Sequence, residues 1–390
     1  MFLVDKPYIS DFFKKTVSDN NIPVVATESS RQMDLHASTQ LISESRAVEM
    51  VRERNTLPIY TTSENTISWI TENLSFTDLP AKIALFKDKL KFRQLTKTIF
   101  PDFYFRGVRI NELNDIQFDT LPLPFIIKPS IGFMSMGVYK VTNEKEWNGV
   151  IASITAEIDQ VKDLYPESVL DTGSFIIEQC INGEEFAVDV YYNAAGEAVV
   201  LGILKHVFSS DADVSDRVYV SSKDIIEQNL SEFTKFAEKI GRLADVKNFP
   251  VHIELRRDGN GTALPIEVNP MRFGGWCTTA DIAFLAYGFN PYLYYYEQKK
   301  PDWSQLLQAK EGKLYSVIVL DNSTGFKIDA IESFDYDKLL TKFKNPLDLR
   351  RIDFQQYPVF GFLFAETEEQ NFSELQSILE SDLIEFVTLK

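Results

Sequence analysis

The chain has 390 residues with 57 acidic and 40 basic side chains, which gives a formal net charge of -17. This length predicts two to four domains at roughly 100–200 residues each. The acidic balance argues against nucleic acid and anionic membrane as main partners, because both are negatively charged and bind positively charged protein surfaces. Two cysteines and three histidines are too few for a disulfide framework or a Cys/His zinc site, and the absence of a long apolar run or a leader pattern predicts a cytoplasmic protein without a membrane span.

Short apolar runs alternate with polar helical stretches over residues 1–80. Strand cores are predicted at 2–4, 22–25 and 57–60, and helices near 8–19, 38–54 and 64–74. This β-α-β-α order predicts a small parallel α/β domain. No G-x-G-x-x-G pattern follows the first strand, so a dinucleotide fingerprint is missing and the domain is interpreted as a scaffold.

Residues 81–300 are predicted to form a second, larger unit. A helix and connector at 81–110 precede an α+β module of about 120–190, with strands at 125–128, 138–141, 174–178 and 185–191 and a helix near 144–163. Strands at 198–205, 250–256 and 263–269 flank a helix at 224–243, and the turn Asp258-Gly-Asn-Gly261 predicts that the last two strands pair as a hairpin. Residues 301–390, with strands at 314–320 and 358–364 and a closing helix near 373–380, are interpreted as a C-terminal α+β region.

A lysine ends the predicted strand 125–128 and is followed by a loop containing Gly132, Ser135 and Gly137. Lys128 at the end of a buried strand needs an anion or a carboxylate, and the loop amides can turn onto phosphate oxygens. The spacing differs from the P-loop pattern. A surface hairpin with a solvent-reaching lysine is the alternative interpretation.

Two glutamates flank the turn after strand 174–178. Glu178 and Glu185 could hydrogen-bond an exocyclic amine and a pair of hydroxyls, as on adenosine, and the exposed backbone at Gln179 and Ile181 could contact a base edge. Solvated glutamates around a turn are the alternative.

The hairpin 250–269 has one polar face. Period-2 alternation places His252, Glu254 and Arg256 on that face, and Glu267 with Asn269 on the same side of the partner strand. Two carboxylates and an amide oxygen suit Mg²⁺ that bridges phosphates. A half-exposed hairpin with a polar face would show the same pattern.

Arg272 follows the hairpin and could neutralise a developing anion, or it could form a structural ion pair. Cys277 has no base nearby in the sequence and is interpreted as a buried structural cysteine.

The order of these motifs resembles the ATP-grasp superfamily of carboxylate–amine and carboxylate–thiol ligases, over about 80–290. The segment Asn269–Gly275 is similar to the amino-acid ligase branch. The resemblance implies ATP contacts by Lys89, Lys128, Ser135, Glu178, Gln179, Ile181 and Glu185, and metal ligation by Glu254, Glu267 and Asn269. Many members have an arginine where this chain has Met271, and some have one where it has His252, so the assignment of Arg272 as the catalytic arginine stays open.

The resemblance further implies an ATP-grasp fold, α/β and α+β, with an N-terminal domain at 1–80, a split nucleotide-binding core at 81–300 with a lid subdomain at about 120–190, and a C-terminal region at 301–390. The implied reaction joins a carboxylate to an amine with ATP and Mg²⁺ (or Mn²⁺) and releases ADP and phosphate. Its partners would be small molecules, with a homodimer as the possible assembly.

Two alternatives stay open: a carboxyphosphate-forming enzyme that uses bicarbonate, and an ATP-binding regulatory protein without turnover. For substrate selectivity, the stretch 206–217 offers Asp213 and Asp216 to an amine, Arg217 to a carboxylate and His206 as a base. A solvated acidic loop is the alternative for this stretch.

Overall fold

The computed structural model of this protein describes residues 1–54, 56–132, 137–161, 173–210 and 215–390. The strands in these residues are β1 Phe2–Leu3, β2 Val24–Val25, β3 Leu41–Ile42, β4 Tyr60–Thr61, β5 Phe105–Arg109, β6 Phe125–Pro129, β7 Tyr139–Val141, β8 Ser174–Gln179, β9 Glu184–Tyr192, β10 Ala198–Val207, β11 Val218–Ser222, β12 Phe249–Arg257, β13 Ala263–Pro270, β14 Lys313–Asp321, β15 Ile331–Phe334, β16 Pro346–Arg351, β17 Val359–Glu368 and β18 Val387–Leu389. The α-helices are α1 Asp11–Asp19, α2 Glu28–Gln32, α3 Glu44–Glu53, α4 Ile67–Asn73, α5 Leu79–Lys87, α6 Lys89–Thr96, α7 Glu144–Val161, α8 Lys223–Ala244, α9 Thr278–Tyr287, α10 Pro291–Tyr296, α11 Trp303–Leu306, α12 Tyr336–Leu340 and α13 Ser373–Leu379.

The N-terminal part is a parallel sheet with the order β3-β2-β1-β4. Residues 2–4 and 24–25 are fully buried, because helices and the rest of the molecule cover both faces of the sheet. The sequence predicts three of these strands. The fourth, β3, lies inside the predicted helix 38–54, which begins at Glu44 because Ser43 caps it by accepting from the Arg46 amide.

The largest sheet has eight antiparallel strands in the order β13-β12-β9-β10-β11-β14-β17-β16. It receives β14, β16 and β17 from the C-terminal region, so one sheet crosses the predicted boundary at residue 300. Helix α8 packs on this sheet through a buried stripe that includes Ile226, Phe233, Ala237 and Ile240, spaced at the helical period. A side chain at Gly241 would overlap the Tyr192 ring of β9, which shows how closely helix and sheet approach.

The smaller antiparallel sheet has the order β5-β8-β6-β7, and a two-stranded sheet pairs β15 with β18. Along the chain, β5 is the first strand of the small sheet and β8 is its last, whereas the next strand, β9, belongs to the large sheet. The strands predicted at 174–178 and 185–191 therefore lie in different sheets, and the short turn between them connects the two. In the part of the chain that the structure describes, no helix is long and apolar enough to cross a membrane.

Candidate active site

The acidic hairpin lies at the β13–β12 end of the large sheet. Glu254 of β12 pairs with Glu267 of β13, and His252 pairs with Asn269. The Asn269 amide nitrogen donates to Glu267 Oε1 at 3.1 Å and lies 3.5 Å from Glu254 Oε1. The structure thus brings these two carboxylates and this amide together on one face, as the period-2 pattern predicts.

The two carboxylates have opposite electrostatic environments. Burial, followed by the charge of Glu267, holds the pKa of Glu254 well above its usual range. Burial also favours neutral Glu267, but the charges of Lys89 and Lys128 outweigh it and hold the pKa of Glu267 below its usual range. Glu267 therefore has a cationic partner, whereas no lysine or arginine in the described residues forms an ion pair with Glu254.

The two predicted ATP-contacting lysines lie beside this pair. Lys89 Nζ is 2.9 Å from Glu267 Oε2, and Lys128 Nζ is 2.9 Å from Glu178 Oε2 and 3.4 Å from the Ile266 carbonyl oxygen. Lys128 lies on the small sheet and Ile266 on the large one, so the lysines stand where the two sheets meet. Both lysines are buried, and burial lowers the pKa of Lys128.

Helix α6 begins at Lys89 because Asp88 caps it. Asp88 Oδ1 accepts from the Leu90 and Lys91 amides at 3.0 and 3.2 Å, and from the Ser130 hydroxyl at 2.5 Å. The Lys89 amide donates to the Ser130 carbonyl at 2.8 Å. A helix start is thereby fixed to the end of β6, which holds Lys89 and Lys128 side by side.

In the structure, Glu178 contacts basic side chains of the protein, whereas the sequence predicts a contact with the exocyclic amine of a nucleotide. It is 3% exposed, and its carboxylate accepts from Arg93 Nε and Lys128 Nζ. The structure therefore places Glu178 as the anchor of Lys128. Gln179 also has an internal partner, since its Oε1 accepts from the Tyr104 amide at 2.8 Å.

The predicted ribose-binding acid, Glu185, lies at the start of β9. Its Oε1 is 2.9 Å from His206 Nδ1, and its Oε2 accepts from Arg256 Nε at 2.8 Å. Arg256 also donates to the Ile181 carbonyl at 2.8 Å. The four residues form one polar cluster that links the turn after β8 to the hairpin strand of Glu254.

The residues predicted to bind substrate do not lie together in the structure. His206 belongs to the Glu185 cluster and stacks on Tyr219 with ring centroids 4.2 Å apart, and the Tyr219 hydroxyl donates to Asp216 at 2.6 Å. Asp213 and the loop residue Ser135 lie outside the described residues.

Arg217 is a correction to the predicted substrate set. Its Nε donates to Asp321 at 2.8 Å, Nη1 to the carbonyls of Ile378 and Ser381, and Nη2 to the Ser323 hydroxyl. The side chain is buried against the C-terminal region. Every guanidinium nitrogen of Arg217 therefore has a partner from the C-terminal region, which gives the side chain a structural role.

Arg272 contacts the N-terminal part of the chain. Its Nη2 is 2.9 Å from Glu64 Oε1, its Nη1 donates to the Phe273 carbonyl at 3.0 Å, and the other Glu64 oxygen pairs with Lys87. The preceding carbonyl, of Met271, accepts from the Thr61 amide at 2.8 Å. Arg272 is thus held in position by an acid from residues 1–80. Cys277 is buried, and burial raises the pKa of its thiol to about 11, which is the structural environment predicted for it.

The sequence pattern does not mark Arg93, Glu64 or Asp189, although Arg93 and Glu64 contact predicted site residues and Asp189 contacts His252 on the polar face of the hairpin. Asp189 binds His252 Nδ1 at 2.7 Å and the Gly274 amide at 3.0 Å, and so orients the histidine beside Glu254. Their partners lie 63 or more residues away in the sequence. Only Arg93 has a local signal, because it follows Lys89 by four residues and so shares its helix face.

The residues present fit a hard divalent cation. Glu254, Glu267 and Asn269 can supply oxygen ligands, which Mg²⁺ and Mn²⁺ prefer, and Glu254 forms no ion pair with a lysine or arginine in the described residues. The described residues contain no group of three His, Cys, Asp or Glu side chains arranged around a metal. Such a cation would need further oxygens from a ligand, and phosphates between the lysines would provide them.

Comparisons with known proteins agree with this geometry. Residues 121–280 match the family model of the ATP-grasp domain. No curated protein matches the sequence. Similar solved structures include the L-amino acid ligase from Bacillus licheniformis, with a TM-score of 0.68 and 15% identity over 100% of this chain and 98% of that one.

Two further structures have the same architecture. N5-carboxyaminoimidazole ribonucleotide synthetase from Thermotoga maritima has a TM-score of 0.60 and 13% identity, over 100% of this chain and 98% of that one. The biotin carboxylase domain of the Hydrogenobacter thermophilus 2-oxoglutarate carboxylase, in complex with MgADP, ADP and bicarbonate, also has a TM-score of 0.60 and 13% identity, over 100% and 90% of the two chains. At these identities the likeness concerns the fold, and it spans the whole chain.

Proposed function

This chain has the ATP-grasp fold, and from that premise we propose that it is an ATP-dependent ligase that joins a carboxylate to an amine and releases ADP and phosphate. The observation that supports the proposal best is the convergence of Lys89, Lys128, Glu254, Glu267 and Asn269 where the two sheets meet. This arrangement places fixed positive charge beside two carboxylates, of which Glu267 pairs with Lys89, while Glu254 forms no ion pair with a lysine or arginine in the described residues. Phosphoryl transfer requires that combination, because it depends on positioning and charge neutralisation more than on covalent help from the protein.

In this proposal, Lys89 and Lys128 bind phosphate oxygens, and their ion pairs with Glu267 and Glu178 keep them oriented before ATP enters. Glu185 and the turn at Gln179 and Ile181 bind the nucleoside. Glu254, Glu267 and Asn269 would hold Mg²⁺ or Mn²⁺, and the cation would supply positive charge that offsets the charge of the phosphates. Ser135 belongs to the same proposal, as part of a loop that covers the phosphates.

The substrate carboxylate would receive the γ-phosphoryl group, and the amine would then displace phosphate from the acylphosphate. Arg272, held by Glu64, would stabilise the negative charge at the reacting carboxyl. His206 and Asp216 remain candidates for the amine side because His206 contacts Glu185 and Asp216 is linked to His206 through Tyr219. A cytoplasmic location, the restriction to small-molecule partners and a homodimer stay predictions from the sequence.

The test is ADP and phosphate release from MgATP in the presence of pooled amino acids and small carboxylates, with mass spectrometry of the products. We expect release that depends on the pool, together with a new condensation mass. Release that depends on bicarbonate, without a new condensation mass, would replace the proposal with the carboxyphosphate class. Tight MgATP binding without release under any of these conditions would favour the regulatory alternative.

A single substitution tests the metal ligands. Glu267→Gln should abolish turnover, because it removes a ligand charge and the partner of Lys89, while the protein still folds. Glu332→Gln is the matched control, since Glu332 is exposed on β15 and should tolerate the same change. Turnover within a few-fold of wild type and an unchanged melting curve for Glu267→Gln would refute the ligand assignment.

A further inference from the structure

The loop at 271–277 joins the acidic hairpin to α9 and contains Arg272. Three of its residues, Met271, Trp276 and Cys277, have φ of +67°, +56° and +61°. This left-handed region is unfavourable for a residue with a side chain, so such residues persist only where surrounding contacts hold the backbone in place. The loop therefore requires an anchor.

Asp189 of β9 is an anchor of this loop. It is 1% exposed, and its Oδ1 accepts from the Gly274 amide at 3.0 Å. Its other oxygen accepts from the Thr279 hydroxyl, and Thr279 Oγ1 in turn accepts from the Gly274 amide at 2.8 Å. A Cβ at Gly274 would overlap the Thr279 side chain, so the loop backbone packs directly onto these two polar groups.

The same carboxylate also holds the acidic hairpin. His252 of β12 is the cross-strand neighbour of Asp189, and its Nδ1 lies 2.7 Å from Asp189 Oδ1. His252 also pairs across the hairpin with Asn269, and its Nε2 lies 3.8 Å from Glu254 Oε1. One oxygen atom thus binds both the hairpin with the proposed metal ligands and the loop with Arg272.

The burial of Asp189 makes this link rigid. No lysine or arginine forms an ion pair with Asp189 in the part of the chain that the structure describes. Its carboxylate is instead satisfied by the imidazole, the amide and the hydroxyl. Because a buried carboxylate is costly without its hydrogen bonds, moving either segment away from Asp189 is unfavourable, and the hairpin and the loop keep one fixed relation.

We propose that Asp189 is a positioning residue, which holds the backbone beside Arg272 in a fixed place relative to Glu254 and Asn269. Glu64 holds the Arg272 side chain, whereas Asp189 holds the backbone two residues further along the chain. The effect on turnover rests on the proposed function, but the anchoring of the loop does not. A displacement of about 1 Å at a reacting group can cost on the order of a hundredfold in rate, so such an anchor matters for the reaction.

Chemical labelling of Cys277 measures the anchoring without any turnover. Cys277 is buried at the end of the loop, and Cys180 is the other cysteine of the chain, so the measurement uses Cys180→Ser as its background. In this background, Asp189→Ala should raise the rate of Cys277 modification by a maleimide about tenfold or more, because local opening of the loop exposes the thiol. Arg217→Met, which removes contacts with the C-terminal region, is the control and should leave the rate unchanged.

Kinetics without the Cys180→Ser change separate positioning from folding. Asp189→Ala should lower kcat by about tenfold to a hundredfold, as for other residues that orient groups in an active site, and should leave the KM for ATP within about twofold. Asp189→Asn should recover part of kcat, because its amide oxygen still accepts from Gly274 and its amide nitrogen can donate to Thr279. A purely structural Asp189 would lower the melting temperature and leave kcat of the folded protein unchanged.

Thr279→Val keeps the test decisive if Asp189→Ala does not fold, since it removes one donor to Asp189 and leaves the contact with His252 in place. It should change labelling and kcat in the same directions by smaller factors. Wild-type labelling of Cys277 in the variant that folds would overturn the proposal, as would faster labelling with wild-type kcat. Faster labelling in a protein whose wild type shows no turnover would refute the proposed function and still support the anchoring of the loop.

Discussion

At the residue scale, charges in the candidate site are held in pairs before any ligand binds. Lys89 is paired with Glu267, Lys128 with Glu178, and Arg272 with Glu64. Such buried pairs contribute little net stability, because desolvation offsets the attraction, but they fix side-chain positions. Glu254 is the exception, since no lysine or arginine in the described residues forms an ion pair with it and its contact with His252 Nε2 spans 3.8 Å. Glu254, the carboxylate of the site without a lysine or arginine partner in the described residues, is a proposed metal ligand.

Glu254→Gln should stabilise the metal-free protein and abolish turnover. The pKa of Glu254 is raised by burial and by Glu267, so its ionised form opposes folding at neutral pH. Removing that charge should raise the melting temperature measured without divalent cation. The difference in melting temperature between the variant and wild type should vanish as pH falls below the ordinary glutamate pKa, because Glu254 is then protonated in both the folded and the unfolded state. A lower melting temperature at neutral pH would contradict this account.

Arg93→Met should destabilise the protein by about 3–5 kcal/mol, because Glu178 would lose one of its two buried cationic partners. It should also raise the KM for ATP, since Glu178 positions Lys128. Urea denaturation of Arg93→Met, Glu178→Gln and the double variant measures the coupling. We expect the double variant to lose less than the sum of the single losses, and additive losses would show that the two residues act independently.

At the element scale, the turn between β8 and β9 decides how the two sheets are joined. Gly183 in this turn has φ +124°, and a Cβ there would overlap the Arg257 carbonyl oxygen. The position therefore requires glycine both for its backbone angle and for the close approach of β12. The turn also contains Ile181, whose carbonyl is bound by Arg256, so its shape bears directly on the candidate nucleoside contacts.

Gly183→Ala should reduce the free energy of unfolding by at least 1–3 kcal/mol, roughly the range for a strained residue, and should raise the KM for ATP. Gly149→Ala is the matched control, because Gly149 lies on exposed α7 with no neighbour near the added methyl group. The control should be neutral or stabilise by up to about 1 kcal/mol. Equal effects of the two substitutions would refute the role given to the turn.

At the scale of the whole molecule, the N-terminal region and the large sheet do not have separate cores. The N-terminal strands and the large sheet share one hydrophobic cluster that contains Phe2, Tyr60, Phe273 and Tyr295. The C-terminal strands extend the same large sheet on its other side. We therefore expect the N-terminal strands and the large sheet to unfold together, with contacts between distant segments supplying much of the stability.

Arg217→Met tests this view and the corrected role of Arg217. It should lower the free energy of unfolding by about 1–3 kcal/mol, since the Ile378 and Ser381 carbonyls would lose their donor, while Asp321 is partly exposed to solvent. The KM for substrates should stay unchanged in the folded fraction. Arg46→Met, which removes an exposed pair with Glu49 and Glu53, should change stability little. A raised substrate KM at an unchanged melting temperature would restore Arg217 to the substrate site.

Local patterns in the sequence determined the features that depend on neighbouring residues. Period-2 alternation and the Asp258–Gly261 turn were enough to predict that Glu254, Glu267 and Asn269 converge, because a hairpin pairs adjacent strands. The resemblance to ATP-grasp proteins, which depends on motif order, predicted the fold that the comparisons confirm.

Only the tertiary structure decided which partner each charged side chain takes. Glu178 binds Arg93 from 85 residues earlier, Arg272 binds Glu64 from 208 residues earlier, and Arg217 binds Asp321 from 104 residues later. A sequence pattern states that a charge is present and which face of its strand it occupies. It does not state which distant segment packs there, because that choice depends on burial summed over the whole molecule.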